Sequence, residues 1–102
     1  MLVNRKSYEE RLDYLVNSYG SEIETLQVAA QSVDKELQAT IHERIEHLRE
    51  KLRILREKLY QLKSVEESIW EERRITVDAL LDEVNLVLIR TLSDLVRYRY
   101  RL

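Results

Sequence analysis

The near absence of chain-breaking residues constrains this sequence more than any other feature. Among 102 residues there is one glycine, Gly20, and no proline, although turns and strand ends normally use both residue types. Charged residues make up 35% of the chain and hydrophobic residues 44%. Such a mixture, rich in Glu, Leu and Arg, is typical of long helices and coiled coils. The composition therefore predicts an all-α protein.

The first helix is predicted at about residues 7–19. The segment Ser7-Tyr-Glu-Glu10 has the spacing of a capping box, in which serine and glutamate side chains satisfy free backbone N–H groups at a helix start. An apolar face follows at helical spacing: Tyr8, Leu12, Leu15 and Tyr19. Glycine often ends a helix in the left-handed conformation, so Gly20 is predicted to end this one.

The second helix is predicted to be very long, at about residues 21–72. Ser21-Glu-Ile-Glu24 is another capping-box pattern, and apolar residues then recur every three or four positions without a breaker. Its central part is a leucine seam made of Leu48, Leu52, Leu55, Leu59 and Leu62. A third capping-box pattern, Thr40-Ile-His-Glu43, leaves a break near 39–40 as an alternative.

The third helix is predicted at about residues 76–100. The apolar pattern fails at Glu71-Glu-Arg-Arg74, and Thr76 is a suitable N-cap, so a chain reversal is expected at 71–76. One continuous helix to the end is the alternative, because the turn contains no Gly or Pro. The sequence thus predicts a single domain, 1–102, organised as an antiparallel helical hairpin or bundle around one long coiled-coil-like helix.

The charges beside the leucine seam favour pairing within the chain. The flanking e and g positions are all basic: Arg49, Lys51, Arg56, Lys58 and Lys63. Two copies packed seam to seam would align like charges, which disfavours that dimer. The shorter helices offer acidic residues instead: Asp78, Asp82 and Glu83, with Glu9, Glu10 and Asp13. In the alternative interpretation, the basic side chains simply form a solvated face.

The last helix is expected to form the contact with another molecule. It is apolar on several sides, which indicates burial by several neighbours. A second copy of the chain would cover it well, so a homodimer or higher homo-oligomer is predicted, with another helical protein as a further possible partner. The predicted interface consists of Leu80, Val84, Val87, Leu88, Leu92 and Leu95.

No pattern predicts catalysis, a metal or a cofactor. His42-Glu-Arg-Ile-Glu-His47 places His and Glu four residues apart twice, but neither zinc-protease spacing is completed. The acidic residues around 66–83 are interpreted as a solvated turn region. Trp70 is predicted at the edge of the core, with a cation–π contact to Arg74 as an alternative. The predicted function is therefore a non-enzymatic structural or protein–protein interaction role, as a scaffold or adaptor.

A small nucleic-acid-associated protein is the alternative function. Its contacts would come from the basic 49–63 flank and from the C-terminal residues Arg97, Arg99, Tyr100 and Arg101. The net charge of −2 argues against a generally basic binding surface. The absence of cysteine, of a signal-peptide core and of a membrane-length apolar run favours a cytoplasmic protein. Scarce Asn and Gln with abundant Arg and Glu are also compatible with a thermophilic source.

Overall fold

Three α-helices make up nearly all of the described chain. The computed structural model describes residues 4–100, with side chains to residue 98. Helix α1 spans Arg5–Ala29, α2 spans Lys35–Lys63 and α3 spans Glu67–Tyr100, while a single 3-10 turn, Ala30–Ser32, follows α1. No strand occurs within residues 4–100. The prediction of an all-α protein is confirmed.

Helix α1 continues well beyond its predicted end at Gly20. It begins at Arg5, because the side chain of Asn4 accepts a hydrogen bond from the backbone N–H of Ser7. Gly20 does not adopt a positive φ and lies inside the helix. A helical glycine costs about 1 kcal/mol relative to alanine, but the buried positions continue past it through Ile23 and Leu26. Burial of that continuing face outweighs the cost of one glycine.

The prediction of one helix over 21–72 is wrong, because a sharp break separates α1 from α2. Val33 has an extended backbone, and the Asp34 carboxylate caps α2 by accepting from the N–H of Leu37 at 2.9 Å. The Gln38 side-chain amide donates to the carbonyl oxygen of Ala30 across the junction, also at 2.9 Å. The break thus precedes the alternative position considered at 39–40. Thr40 lies inside α2.

The second reversal also comes earlier than the predicted 71–76 turn. Helix α2 ends at Lys63, and the backbone N–H of Ser64 donates to the carbonyl oxygens of Gln61 and Leu62. The Ser64 hydroxyl donates to Gln61 as well, at 3.1 Å. Thr76, predicted as an N-cap, therefore lies inside α3. These contacts satisfy the carbonyls of Gln61 and Leu62 within the turn itself, so the chain reverses here without glycine or proline.

Helix α1 packs antiparallel to α2. Lys63, at the end of α2, lies 2.9 Å from Asp13 near the start of α1. Arg49, in the middle of α2, donates to the side-chain oxygen of Gln27 near the end of α1. The order of these contacts reverses along the two helices, which defines the antiparallel direction.

Helix α3 packs antiparallel to the opposite flank of α2. The Nζ of Lys51 lies 2.9 Å from the Glu83 carboxylate, and Arg44, nearer the start of α2, pairs with Asp94, nearer the end of α3. The 34 residues of α3 correspond to about 51 Å of helix, which is close to the longest dimension of the molecule, 54 Å. The three helices therefore lie side by side, and the two outer helices do not follow one another along a longer central one.

One hydrophobic core joins all three helices. Its buried α2 residues are Ile41, Ile45, Leu48, Leu52, Leu55, Leu59 and Leu62. Helix α1 adds residues from Leu12 to Leu26, and α3 adds residues from Trp70 to Leu88. Because α2 contacts both neighbours, its buried face is the centre of the core.

Candidate interaction surface

The leucine seam of α2 lies entirely within the chain. Leu48, Leu52, Leu55, Leu59 and Leu62 are all buried. Of the basic flank, Lys51 and Lys63 form ion pairs with acidic residues of the neighbouring helices, Glu83 and Asp13. Part of the flanking charge is therefore neutralised inside the molecule.

The residues predicted to form an oligomer interface divide into two groups. Val84 and Leu88 are 0% and 1% exposed, so they pack in the core of the chain itself. Leu80, Val87 and Leu95 are partly buried against that core. Leu92 alone in the predicted set is substantially exposed. A second copy could reach Leu92, but it could not reach Val84 or Leu88 without opening the core.

Four exposed apolar side chains lie close together in the second half of α3. Leu86, Ile89, Leu92 and Val96 are 48%, 52%, 45% and 50% exposed, and we call these four residues the outer face. Their spacing of three, three and four residues keeps them on one side of the helix. Ile89, Leu92 and Val96 border one shallow depression together with Ser93 and Arg97.

Charged residues border the outer face unevenly. Asp82 is exposed one helical turn before Leu86, and Arg90 is exposed beside Ile89. Arg97 is 76% exposed at the far end, and its closest carboxylate oxygen is that of Asp94 at 3.9 Å. The outer face therefore has an acidic residue at one end and a basic residue at the other.

A cluster of polar side chains lies at the opposite end of α3. The Arg5 guanidinium donates to three backbone carbonyl oxygens at the end of α2 and in the following turn, those of Leu62, Lys63 and Val65, at 2.9–3.1 Å. It also contacts the carboxylates of Glu9 and Glu67. This one side chain therefore ties the start of α1 to the α2–α3 turn.

Trp70 is buried in this cluster, as predicted for a residue at the edge of the core. Its indole Nε1–H donates to Glu9 at 2.9 Å, and its ring packs edge-on against Tyr8 with centroids 5.4 Å apart. The alternative considered for Trp70, a cation–π contact with Arg74, is replaced by another pairing: Arg5 lies over the Trp70 ring, and Arg74 lies over Tyr8. Trp70 is therefore held by α1 rather than by its own helix.

The pKa values of Tyr8 and Glu71 in this cluster are shifted in opposite directions. Burial, reinforced by hydrogen bonding to the Asp78 carboxylate, raises the pKa of Tyr8 well above its ordinary value. The hydrogen bond from Arg74 lowers the pKa of Glu71. Every buried side-chain nitrogen and oxygen within the described residues has a hydrogen-bond partner. The cluster is a closed network that joins helices.

The remaining predicted sites are distributed over the surface. His42 and His47 are both exposed on α2, and no cluster of three His, Cys, Asp or Glu side chains suited to a metal occurs in the part of the chain that the structure describes. Arg97 is on the last turns of α3, whereas the side chains of Arg99 and Tyr100, and all of Arg101, lie outside the described residues.

Comparison of the chain with models of known protein families, with curated proteins and with solved structures finds no match. Across residues 4–100, no helix combines the length and the apolar character required to cross a membrane.

Proposed function

We propose that this chain is a non-enzymatic structural protein, a helical scaffold or adaptor, that acts as a homo-oligomer through the outer face of α3. Its three helices would form a stable three-helix bundle in which α2 is covered on both flanks. The observation that carries the proposal is the outer face itself: four half-exposed aliphatic residues on consecutive turns of one helix. Contiguous exposed apolar residues with a polar rim commonly mark protein–protein contacts.

The outer face differs from the other exposed apolar residues of the molecule. Tyr14 and Val28 on α1, Tyr60 on α2 and Ile75 on α3 are each more exposed than any outer-face residue, but they lie far apart in sequence. Ile69 and Ile75 are exposed nearer the start of α3, more than two turns before Leu86. Single exposed apolar residues are normal on protein surfaces. Residues spaced along one helix face can instead provide a continuous ridge for a neighbouring helix.

The partner that we propose for the outer face is a second copy of the chain. Homo-oligomers are the commonest soluble assemblies, and most are two-fold dimers in which one patch meets itself. The proposal involves no cofactor, metal or membrane. We place this assembly in the cytoplasm, because the chain has no cysteine and therefore needs no oxidising compartment to form disulfides.

The oligomeric state tests this proposal directly. Sedimentation velocity over a range of protein concentrations should show a dimer or larger species for the unaltered chain. Ile89→Glu, which places a charge in the middle of the outer face, should convert it to a monomer with unchanged helix content by circular dichroism. Val28→Glu is the matched control, because Val28 is an exposed aliphatic residue on α1. A wild-type chain that remains monomeric at every concentration contradicts the proposal.

Nucleic-acid binding through the basic 49–63 flank and the C-terminal residues is the second proposal. It is supported by Arg49 and Arg56, which border the same groove between α1 and α2 beside Gly20. The charge of Lys51 and Lys63 is already balanced by acidic partners, so the available positive surface is small. Fluorescence anisotropy with labelled DNA and RNA should detect this binding, which would weaken steeply with added salt and on Arg49→Ala/Arg56→Ala.

A further inference from the structure

The charges at the two ends of the outer face restrict how a second copy can approach. We infer that two copies pair through α3 in antiparallel orientation, about a two-fold axis near Ile89, so that Asp82 of each copy meets Arg97 of the other. This inference rests on the proposed homo-oligomer and adds the direction and register of its interface. Asp82 and Arg97 are both exposed and lie on either side of Ile89 in sequence.

The register follows from helix geometry. Asp82 is seven residues before Ile89 and Arg97 is eight residues after it, so each lies about 11–12 Å from the axis along α3. A two-fold axis at Ile89 reverses the second helix and brings Arg97 of one copy level with Asp82 of the other. The same operation places Leu86 beside Leu92 of the second copy, so apolar side chains meet apolar side chains between the two ion pairs.

A parallel pairing would place like charges together. Asp82 would face Asp82 of the second copy, and Arg97 would lie beside Arg97 of the second copy. Like charges held at an interface oppose association and select against that arrangement. Antiparallel pairing converts both of these repulsive contacts into attractive ones while using the same four apolar residues. The exposed Arg90, next to the axis, lies nearly level with Arg90 of the second copy in either orientation, so it does not distinguish the two.

Within the described residues, neither Asp82 nor Arg97 forms a close ion pair, although Arg97 borders a depression with Asp34 and Glu36 as well as Asp94. Glu83 is paired with Lys51 and Asp94 with Arg44, both within the chain. The Asp94–Arg97 approach of 3.9 Å is at the long limit for an ion pair, and the Arg97 side chain is 76% exposed. An arginine in that position can turn towards a carboxylate on an incoming helix.

Charge exchange tests the register. Asp82→Arg and Arg97→Asp should each weaken the dimer about tenfold, because each change turns two attractive pairs into two repulsive ones. The double variant Asp82→Arg/Arg97→Asp should restore wild-type affinity, and mixing the two single variants should give a heterodimer. Glu24→Arg, on an exposed position of α1, is the control and should leave the dissociation constant unchanged in sedimentation experiments.

Cross-linking tests the direction independently. The chain contains no cysteine, so single-cysteine variants can be joined with a short bismaleimide. Ile89→Cys, at the axis, should cross-link to itself, whereas Val96→Cys should not, because the two copies of residue 96 lie about 21 Å apart along the helices. A dimer that cross-links equally at both positions, or that the double charge exchange fails to restore, overturns the antiparallel register while leaving the homo-oligomer intact. If the wild-type chain is a monomer, both the homo-oligomer and its antiparallel register are overturned.

Discussion

The guanidinium of Arg5 lies 5.7 Å from the centre of the Trp70 ring while its Nη2 atom binds the backbone carbonyls at the end of α2. One side chain at the start of α1 therefore contacts both of the other helices. Arginine suits this position because its planar fork of donors can serve several acceptors and still stack on an aromatic ring.

Arg5→Lys should lower the melting temperature by several degrees, because an ammonium group has only three donors for the three carbonyl oxygens and two carboxylates that the guanidinium contacts, and it has no planar group to lie over the indole. Thermal denaturation followed by circular dichroism measures this effect. The matched control is Arg53→Lys, since Arg53 is exposed and its ion pairs within the described residues are with Glu50 and Glu57 of its own helix. Equal losses in the two variants would show that the Arg5 contacts contribute nothing specific.

Gly20→Ala should stabilise the protein by about 0.5–1 kcal/mol, because Gly20 lies inside α1 and alanine has the higher helix propensity. The new methyl group would lie 3.0 Å from Nη2 of Arg56, the far end of a flexible side chain that can move aside. Urea denaturation measures the change. The double variant Gly20→Ala/Arg56→Ala, compared with Arg56→Ala, reports the same gain without that contact. A loss of stability in both backgrounds would instead support the left-handed helix end first predicted at Gly20.

Asp34→Ala should destabilise the protein by about 1 kcal/mol, because it removes the side chain that caps the first turn of α2. Asp34→Asn is the matched control: asparagine caps equally well, so most of the stability should be retained. Chemical denaturation of the two variants separates a lost cap from a lost charge. Equal stability of Asp34→Ala and the wild type would indicate that the α1–α2 break does not depend on this cap.

Tyr8 should make the protein less stable at alkaline pH. Its pKa is raised in the folded state by burial and by Asp78, so below about pH 10 both the folded and the unfolded chain keep the proton. Above that pH the unfolded chain releases a proton that the folded chain retains, and the free energy of unfolding falls as the pH rises towards the folded-state pKa.

Tyr8→Phe should reduce this alkaline loss, as measured by urea denaturation between about pH 9 and 11. The control is Tyr14→Phe, because Tyr14 is 73% exposed and its replacement should leave the pH dependence as in the wild type. If the free energy of unfolding falls equally with pH in Tyr8→Phe and in the wild type, the alkaline loss of stability does not come from Tyr8.

The all-α class and the buried seam of α2 could be predicted because they depend on composition and on local periodicity. The helix ends could not, because the apolar period continues across the real break: Val33 and Leu37 keep helical spacing on either side of Asp34. The capping aspartate, Asp34, starts a new helix there even though the apolar pattern would allow one continuous helix. At Gly20 the reverse occurred, since burial of the continuing apolar face outweighed a residue that usually ends helices.

The outer face was difficult to locate for a related reason. Leu88 and Ile89 are adjacent and chemically alike, yet one is buried in the core and the other is half-exposed. The sequence does not indicate which of the two is more buried, because this part of α3 has apolar residues on most of its sides. The positions of α2 and α1 decide which side of α3 is already covered.

The central position of α2 also has a consequence for how the chain acquires its structure. Its two main interfaces join helices that are consecutive in sequence, α1 with α2 and α2 with α3, whereas α1 and α3 touch only sparsely. Each hairpin can therefore close over a short connection, at a small loss of chain entropy. Chains dominated by such local contacts fold on the microsecond-to-millisecond scale, so we expect the two hairpins to form rapidly and the Arg5–Trp70 contact, which joins residues 65 positions apart, to close last.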